Sequence, residues 1–302
     1  MQARLPCSEL GTKPETAKRI GLFSRIQSPS TMPRKKAEPT KKRKAVAAGP
    51  PMSLERHGAG AMSLTMTGRR PYQEDRVLVV PHAAVLGAGR GLYAVFDGHG
   101  GSGCSQYLVD ELMGNLPPVV GGAPPLPGSA KKATPGKRRS SRARAAAQAS
   151  NDAGAPAAVA DALREAVLET DAAYCELARN TEVMDGSTCV VVYVSSRGGE
   201  EELVVSNTGD SRAVLVRAGG AAVALTEDHK PEDKKEQARI RRAGGTVKFD
   251  AEDDCWRVDG MLAVSRAVGD VYVKPYVTAE PDVLTFKRSA KVRIPEGGGG
   301  WG

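Results

Sequence analysis

Along this 302-residue chain the spacing of apolar positions changes period several times. Residues 63–68 alternate as a half-buried strand does, and 76–80 form a second β-prone run after a charged connection. Residues 91–96 are a short apolar run, read as a buried strand, that stops abruptly at Asp97-Gly98-His99-Gly100-Gly101. Over 102–116, Tyr107, Leu108 and Leu112 form one stripe and predict a helix. Over 157–180, Val159, Leu163, Val167, Thr170, Tyr174 and Leu177 recur at steps of three and four and predict a longer amphipathic helix. The β-branched run 186–194 is a strand. Residues 203–207 and 213–216 flank Thr208-Gly209-Asp210-Ser211-Arg212 and read as a hairpin. A third helix is expected to start at Asp228-His229-Lys230-Pro231, run through Glu236, Arg239 and Ile240, and stop at Gly244-Gly245.

Two stretches carry no period. Residues 1–57 are rich in Pro, Lys and Thr and read as a disordered basic segment. Residues 117–156 are rich in Pro and Gly, then in Lys and Arg, and read as a low-complexity insertion on a surface loop. The expected organisation is therefore one domain over 58–291 interrupted by that insertion, with a divergent Gly-rich tail at 292–302. Charge follows the same division. The two basic stretches carry about +15 between them, so a net charge of +8 leaves the rest of the chain acidic. An acidic body argues against a nucleic-acid-binding domain, and the basic stretches lack the interleaved aromatics that stack bases. Within 33–44, two Lys/Arg clusters separated by a short spacer resemble a nuclear import signal, so an import receptor is an expected partner and a nuclear or cytoplasmic location is expected. Five widely spaced cysteines with no CxxC pair fit reduced thiols rather than a disulfide framework or a zinc site. No apolar run approaches the ~18 residues of a membrane span, and the expected form is a monomer.

The candidate chemistry sits at the end of the 91–96 run. A strand that delivers Asp97 and His99 into a Gly-permissive loop is one way to build a site, and a polar turn in which Asp97 caps its own backbone is the other. Before the 76–80 run, the adjacent carboxylates Glu74 and Asp75 follow Arg70 by four and five residues. Together they could offer hard oxygen ligands to a divalent cation and a guanidinium to an oxyanion, or form a solvated connection. His229, beside Pro231, reads as a structural hydrogen-bonding residue more readily than as a general base, and Asp210 is as apt to brace its turn as to do chemistry.

Six stretches in order resemble the metal-dependent type 2C protein serine/threonine phosphatases, the plant members most closely. They are RRPYQED, LYAVFDGHGG, DGSTCVVVYV, VVSNTGDSRAVL, the series from LTEDHKP to the Gly244-Gly245 stop, and RVDGMLAVSRAVGD with KPYVTAEPDV after it. The resemblance implies an α+β fold of two antiparallel sheets packed face to face with helices outside. It implies Mg²⁺ or Mn²⁺, two ions in a complete member, held by Asp97, Glu74, Asp75 and the carbonyl of Gly98. It also implies hydrolysis of phosphoserine and phosphothreonine by a metal-activated water, with Arg70 holding the phosphate and His99 protonating the leaving oxygen. Asp210, Arg266 and Asp270 are expected to be mainly structural. After Lys291 the family pattern continues into an ASDGxWD-type motif and a later DN pair, whereas this sequence reads VRIPEGGGGWG. One metal site is therefore expected to be incomplete, and the alternative expectation is a truncated, catalytically impaired form that binds substrates or partners.

Overall fold

The computed structural model describes residues 19–23, 53–57, 61–68, 70–80, 86, 89–116, 156–197, 200–217 and 220–288. In chain order the first elements are β1 (Arg19–Phe23), β2 (Ser53–His57), β3 (Ala61–Thr65), β4 (Arg76–Val80), β5 (Arg90–Phe96), β6 (Gly98–His99) and α1 (Gly103–Asn115). Next come α2 (Pro156–Thr181), β7 (Gly186–Ser187), β8 (Cys189–Arg197), β9 (Glu200–Thr208), β10 (Arg212–Val216) and β11 (Ala222–Ala224). The last are α3 (Lys234–Arg242), β12 (Val247–Asp250), β13 (Cys255–Val258), β14 (Val268–Gly269), a 3₁₀ turn over Val271–Val273, and β15 (Asp282–Arg288).

Strands apolar on both faces organise the centre. An antiparallel sheet of order β15-β9-β8-β5-β4 buries one face under helices and the other under a second sheet. On β5, Leu92, Ala94 and Phe96 point one way, and Val191, Tyr193 and Val204 of β8 and β9 join them against Leu108 and Leu112 of α1 and Val159, Leu163 and Val167 of α2. The alternate positions Val95, Val190, Val192, Leu203 and Val205 meet Ala213 and Leu215 of β10, with Leu22 of β1 packed alongside. Period-2 alternation thus feeds two cores from one sheet, and each fully buried Leu or Phe contributes about 1.5–3 kcal/mol. The second sheet has the order β1-β10-β11. The α+β class with packed antiparallel sheets and outer helices is as expected. A third cluster, Ile240 of α3 with Val258, Val264, Ala267, Val273 and Val277, holds the β12–β13 ribbon to the body.

Four expectations are corrected. First, 203–216 is not a hairpin: β9 and β10 lie in different sheets, and 208–212 is the corner between them. Gly209, at φ +104°, makes that corner, and a Cβ there would fall 2.7 Å from the Thr188 side chain. Second, two strands lie inside the 1–57 stretch read as disordered: β1 pairs antiparallel with β10, and β2 with β3. The import-like clusters, the insertion over 117–155 and the tail from 289 onward lie outside the described residues. Third, the run 186–194 is broken at Thr188, so that β7 and β8 belong to different sheets. Fourth, helix α3 begins at Lys234 rather than at Asp228. Asp233 caps it, its Oδ1 accepting from the backbone N–H of Lys235 at 2.8 Å and of Glu236 at 3.2 Å, and Arg239, Arg241 and Arg242 complement the dipole at its far end. Among the described residues no helix is long and apolar enough to cross a membrane.

Candidate active site

The site forms where β5 leaves the central sheet. Asp97 lies between β5 and β6, and its backbone is locked on both sides by Thr188, the residue that breaks β7 from β8. The Asp97 N–H donates to Thr188 Oγ1 at 3.0 Å, and the Thr188 N–H donates to the Asp97 carbonyl at 3.0 Å. Thr188 Oγ1 in turn lies 2.6 Å from Ser211 Oγ, which ties this junction to the corner carrying Asp210. Gly98 then passes hard against the 70–75 segment: a Cβ on it would stand 2.5 Å from the Glu74 carbonyl and 2.8 Å from Ser105 Oγ. Ser105, in the first turn of α1, donates to that same carbonyl at 2.6 Å. Glu74 is buried, and its Oε2 accepts a long bond of 3.4 Å from Arg70 Nη1, whose side chain is 53% exposed. Asp75 is held from behind by Arg76, whose Nη1 donates to the Asp75 carbonyl at 2.9 Å and the Gln73 carbonyl at 3.0 Å.

Carboxylates crowd together here. Burial, the charges of Asp75 and Asp210, and a side-chain hydrogen bond with Asp75 push Asp97 up to about 7, with His99 pulling the other way. Asp210 also forms an ion pair with Lys230. His99 Nε2 lies 2.9 and 2.8 Å from the two carboxylate oxygens of Asp270. Burial opposes the charged imidazolium, but the hydrogen bond and charge of Asp270, with Asp97 and Asp210 behind it, outweigh burial and hold the ring above its ordinary pKa.

The sequence-predicted residues therefore fall into one neighbourhood. Asp75 and Asp97 meet through their carboxyls, Glu74 meets Gly98 through its backbone and Arg70 through its side chain, and His99 follows Asp97 by two residues. Apposed, partly desolvated carboxylates suit a hard divalent cation, which would offset the burial and the repulsion that raise Asp97. The fit is to part of a ligand shell: among the described residues no three His, Cys, Asp or Glu side chains form a metal-ligating group. Cys104, Cys175 and Cys189 are free and buried, and burial pushes Cys189 up to about 12, so these thiols are not poised as nucleophiles.

The family model described as Protein phosphatase 2C matches residues 130–292, more than half of the chain. The chain belongs to the protein phosphatase 2C family. A relative from Oryza sativa subsp. japonica, "Probable protein phosphatase 2C 56", is 38% identical over 217 residues, covering 72% of this chain and 50% of the relative. One from Arabidopsis thaliana, "Probable protein phosphatase 2C 14", is 31% identical over 246 residues, covering 81% and 46%. The chain thus spans about half the length of the curated relatives it matches. Among solved structures, a serine-threonine phosphatase 2C from Toxoplasma gondii aligns with a TM-score of 0.57 at 23% identity, over 74% of this chain and 72% of that one, a likeness of fold.

Within this protein phosphatase 2C chain, sequence reasoning missed three contributors. Thr188 sits inside the DGSTCV motif, yet nothing in a β-branched run marks the residue where the strand breaks. Lys230 is coupled to Asp210 only through the tertiary fold. Asp270, expected to be mainly structural, holds the His99 ring. The one available sign was its place after Gly269, in a turn where a left-handed residue is needed: Asp270 has φ +50°.

Proposed function

We propose that this chain is a Mg²⁺- or Mn²⁺-dependent protein serine/threonine phosphatase that hydrolyses phosphoserine and phosphothreonine in protein substrates. The observation that carries the reading is the hydrogen-bonded Asp75–Asp97 pair, with Arg70 and His99 attached to the same short stretches of backbone. Asp97, Asp75, Glu74 and the Gly98 carbonyl are the groups that would hold the cations, which when bound supply charge neutralisation and an activated water. Arg70 offers a half-exposed planar fork to the non-bridging phosphate oxygens, and its long bond to Glu74 is weak enough to yield to a charged ligand. His99, whose pKa the hydrogen bond and charge of Asp270 raise against the effect of burial, would supply a proton to the departing serine or threonine oxygen. Asp75 would orient the attacking water and accept its proton.

The basic clusters in 33–44 support import into the nucleus through an import receptor, and the protein acts as a monomer. A fusion with a fluorescent protein that stayed cytoplasmic would exclude the import reading, and scattering at micromolar concentration measures the oligomeric state. The central test is release of phosphate from a phosphothreonine peptide by the full chain with Mn²⁺. Turnover abolished by chelation and by Asp97→Asn is expected. Turnover that survives Asp97→Asn, or none at any Mn²⁺ concentration, would refute the reading.

A further inference from the structure

We propose that Asp270 is a positioning residue for His99: it fixes the ring and holds the neutral imidazole as the Nε2–H tautomer, leaving Nδ1 as the atom that exchanges protons with substrate. A three-stranded ladder separates the two residues. In the order β14-β7-β6, Gly186 of β7 pairs with His99 on one side and with Gly269 on the other. Outer strands of such a ladder stand about 9–10 Å apart, so a side chain from one reaches the other only across the middle strand. Gly186 leaves that passage open: a Cβ on it would fall 2.1 Å from Asp270 Oδ2.

A merely structural Asp at this turn would cap the 3₁₀ helix that follows it. The Asp270 side chain makes no capping bond to Val271–Val273. It is fully buried and directs both oxygens at His99 Nε2, with a further hydrogen bond to Tyr272. Its backbone is fixed independently. The Asp270 N–H donates to the Asp185 carbonyl at 3.1 Å, and the preceding Gly269 N–H donates to Asp171 Oδ1 at 2.8 Å. Asp171, on α2, is itself held by Lys274 Nζ at 3.0 Å. A buried carboxylate built this carefully around one imidazole nitrogen fixes both the tautomer and the direction of the ring.

The second half of the proposal rests on the phosphatase reading. As the P–O ester bond breaks, its electron pair passes to the leaving oxygen, which takes the proton from Nδ1 of imidazolium. Water provides the new P–O bond and gives up one proton to Asp75, and the ring is left neutral with Nε2–H still on Asp270.

The test uses the full chain without added metal, with imidazole ¹⁵N spectra in which His99 is assigned by its loss in His99→Gln. At a pH high enough for the His99 ring to be neutral, the expected wild-type result is an Nε2–H tautomer with a downfield, exchange-protected proton, and in Asp270→Asn that protected signal is lost. Asn tolerates the left-handed backbone, and circular dichroism checks the fold. If that variant does not fold, the wild-type spectrum decides alone, since an Nδ1–H tautomer there overturns the proposal. Retention of the protected Nε2–H signal in a folded Asp270→Asn chain also overturns it. The kinetic arm compares two esters with Mn²⁺. Because general acid catalysis is worth roughly 10²–10⁴-fold, Asp270→Asn is expected to lower kcat on phenyl phosphate by about tenfold or more. On p-nitrophenyl phosphate, whose leaving group needs little protonation, the loss is smaller and KM is unchanged. Equal losses on the two esters overturn the role of Nδ1. A wild-type chain inactive on both, with the Nε2–H signal in place, sinks the phosphatase reading and leaves the positioning of His99 standing.

Discussion

Glu236 joins three parts of the molecule, and removing its charge is a sharp test of how the region beneath the site is held. Its carboxylate accepts from Arg239 Nε and Nη2 at 3.2 and 2.9 Å and from Arg266 Nε and Nη2 at 3.2 and 2.8 Å. Arg239 also donates to the carbonyls of Ser265 and Tyr276 at 2.7 Å each. Arg266 goes on to Asp282 Oδ1 at 2.8 Å and the Glu280 carbonyl at 2.9 Å. Helix α3, the 264–270 segment that ends in Asp270, and the start of β15 are thus tied through one carboxylate that is 6% exposed. Breaking a buried pair from one side costs about 3–5 kcal/mol. Both arginines keep two carbonyl or carboxylate partners after Glu236→Gln, so we expect a loss of roughly 2–3 kcal/mol. For a domain of this size that is about 4–12 °C in Tm.

The pH dependence gives the same test an internal control. Burial acts to raise the Glu236 pKa, but the hydrogen bonds from Arg266, Arg239 and Ser265 overcome it and lower the group to about 2 from an ordinary 4.5. A carboxylate depressed in the folded state stabilises fully above its unfolded pKa, and the contribution is lost as pH falls through the folded one. The gap between wild type and Glu236→Gln should therefore be constant from pH 7 to about pH 5, shrink below 4.5, and close near pH 2. The shift corresponds to an upper figure of about 3 kcal/mol, reduced by solvent screening to about 2. Urea titrations at each pH, followed by the fluorescence of Trp256 on β13, measure the gap. A gap under 1 kcal/mol at pH 7, or one unchanged at pH 3, would refute the assignment.

Three further outcomes are expected. Mn²⁺ at a hundredfold excess over its Kd should raise the wild-type Tm by roughly 5–10 °C, and Asp97→Asn should abolish the rise, as differential scanning fluorimetry can establish without any turnover. Arg70→Ala should lower kcat/KM on a phosphothreonine peptide by roughly 10–100-fold, the value of a charge-assisted bond to phosphate, with Arg70→Lys recovering only part of it; unchanged kinetics would remove Arg70 from the site. Gly186→Ala should drive the Asp270 carboxylate off His99 at a strain cost of about 1–3 kcal/mol, so that the protected His99 proton disappears while the chain still unfolds cooperatively.

Much of the fold was legible because it is written in periods that do not depend on distant neighbours. Val159, Leu163, Val167 and Tyr174 declare α2, and the apolar alternation of β5 and β8 declares strands buried on both sides. Failures came where one pattern serves two sheets. Leu203–Thr208 and Arg212–Val216 look like hairpin arms because both are β-prone and a Gly-Asp turn separates them. What sends β10 to the second sheet is its partner β1, whose residues Arg19–Phe23 pair with it from nearly two hundred positions away. A five-residue strand set in a Pro- and Lys-rich stretch has no period long enough to be read locally, and its strand form depends on the edge it joins.

The candidate site divides along the same line. Asp97, Glu74, Asp75, Arg70 and His99 could be singled out as candidates because each lies in a short local motif, while their roles came from the resemblance of those motifs in series and not from residue type alone. Asp270 could not be, because its carboxylate acts through Gly186, and that glycine's contribution is the side chain it lacks. The ladder His99–Gly186–Gly269 shows why both glycines and the left-handed Asp270 are needed together. A side chain at Gly186 closes the passage. One at Gly269, where φ is +79° and a Cβ would stand 2.7 Å from the Asp185 carbonyl, moves the turn that launches the carboxylate. Residues that do chemistry are recognised by what they carry. Those that aim them are recognised by the space left around them, which only the assembled strands define.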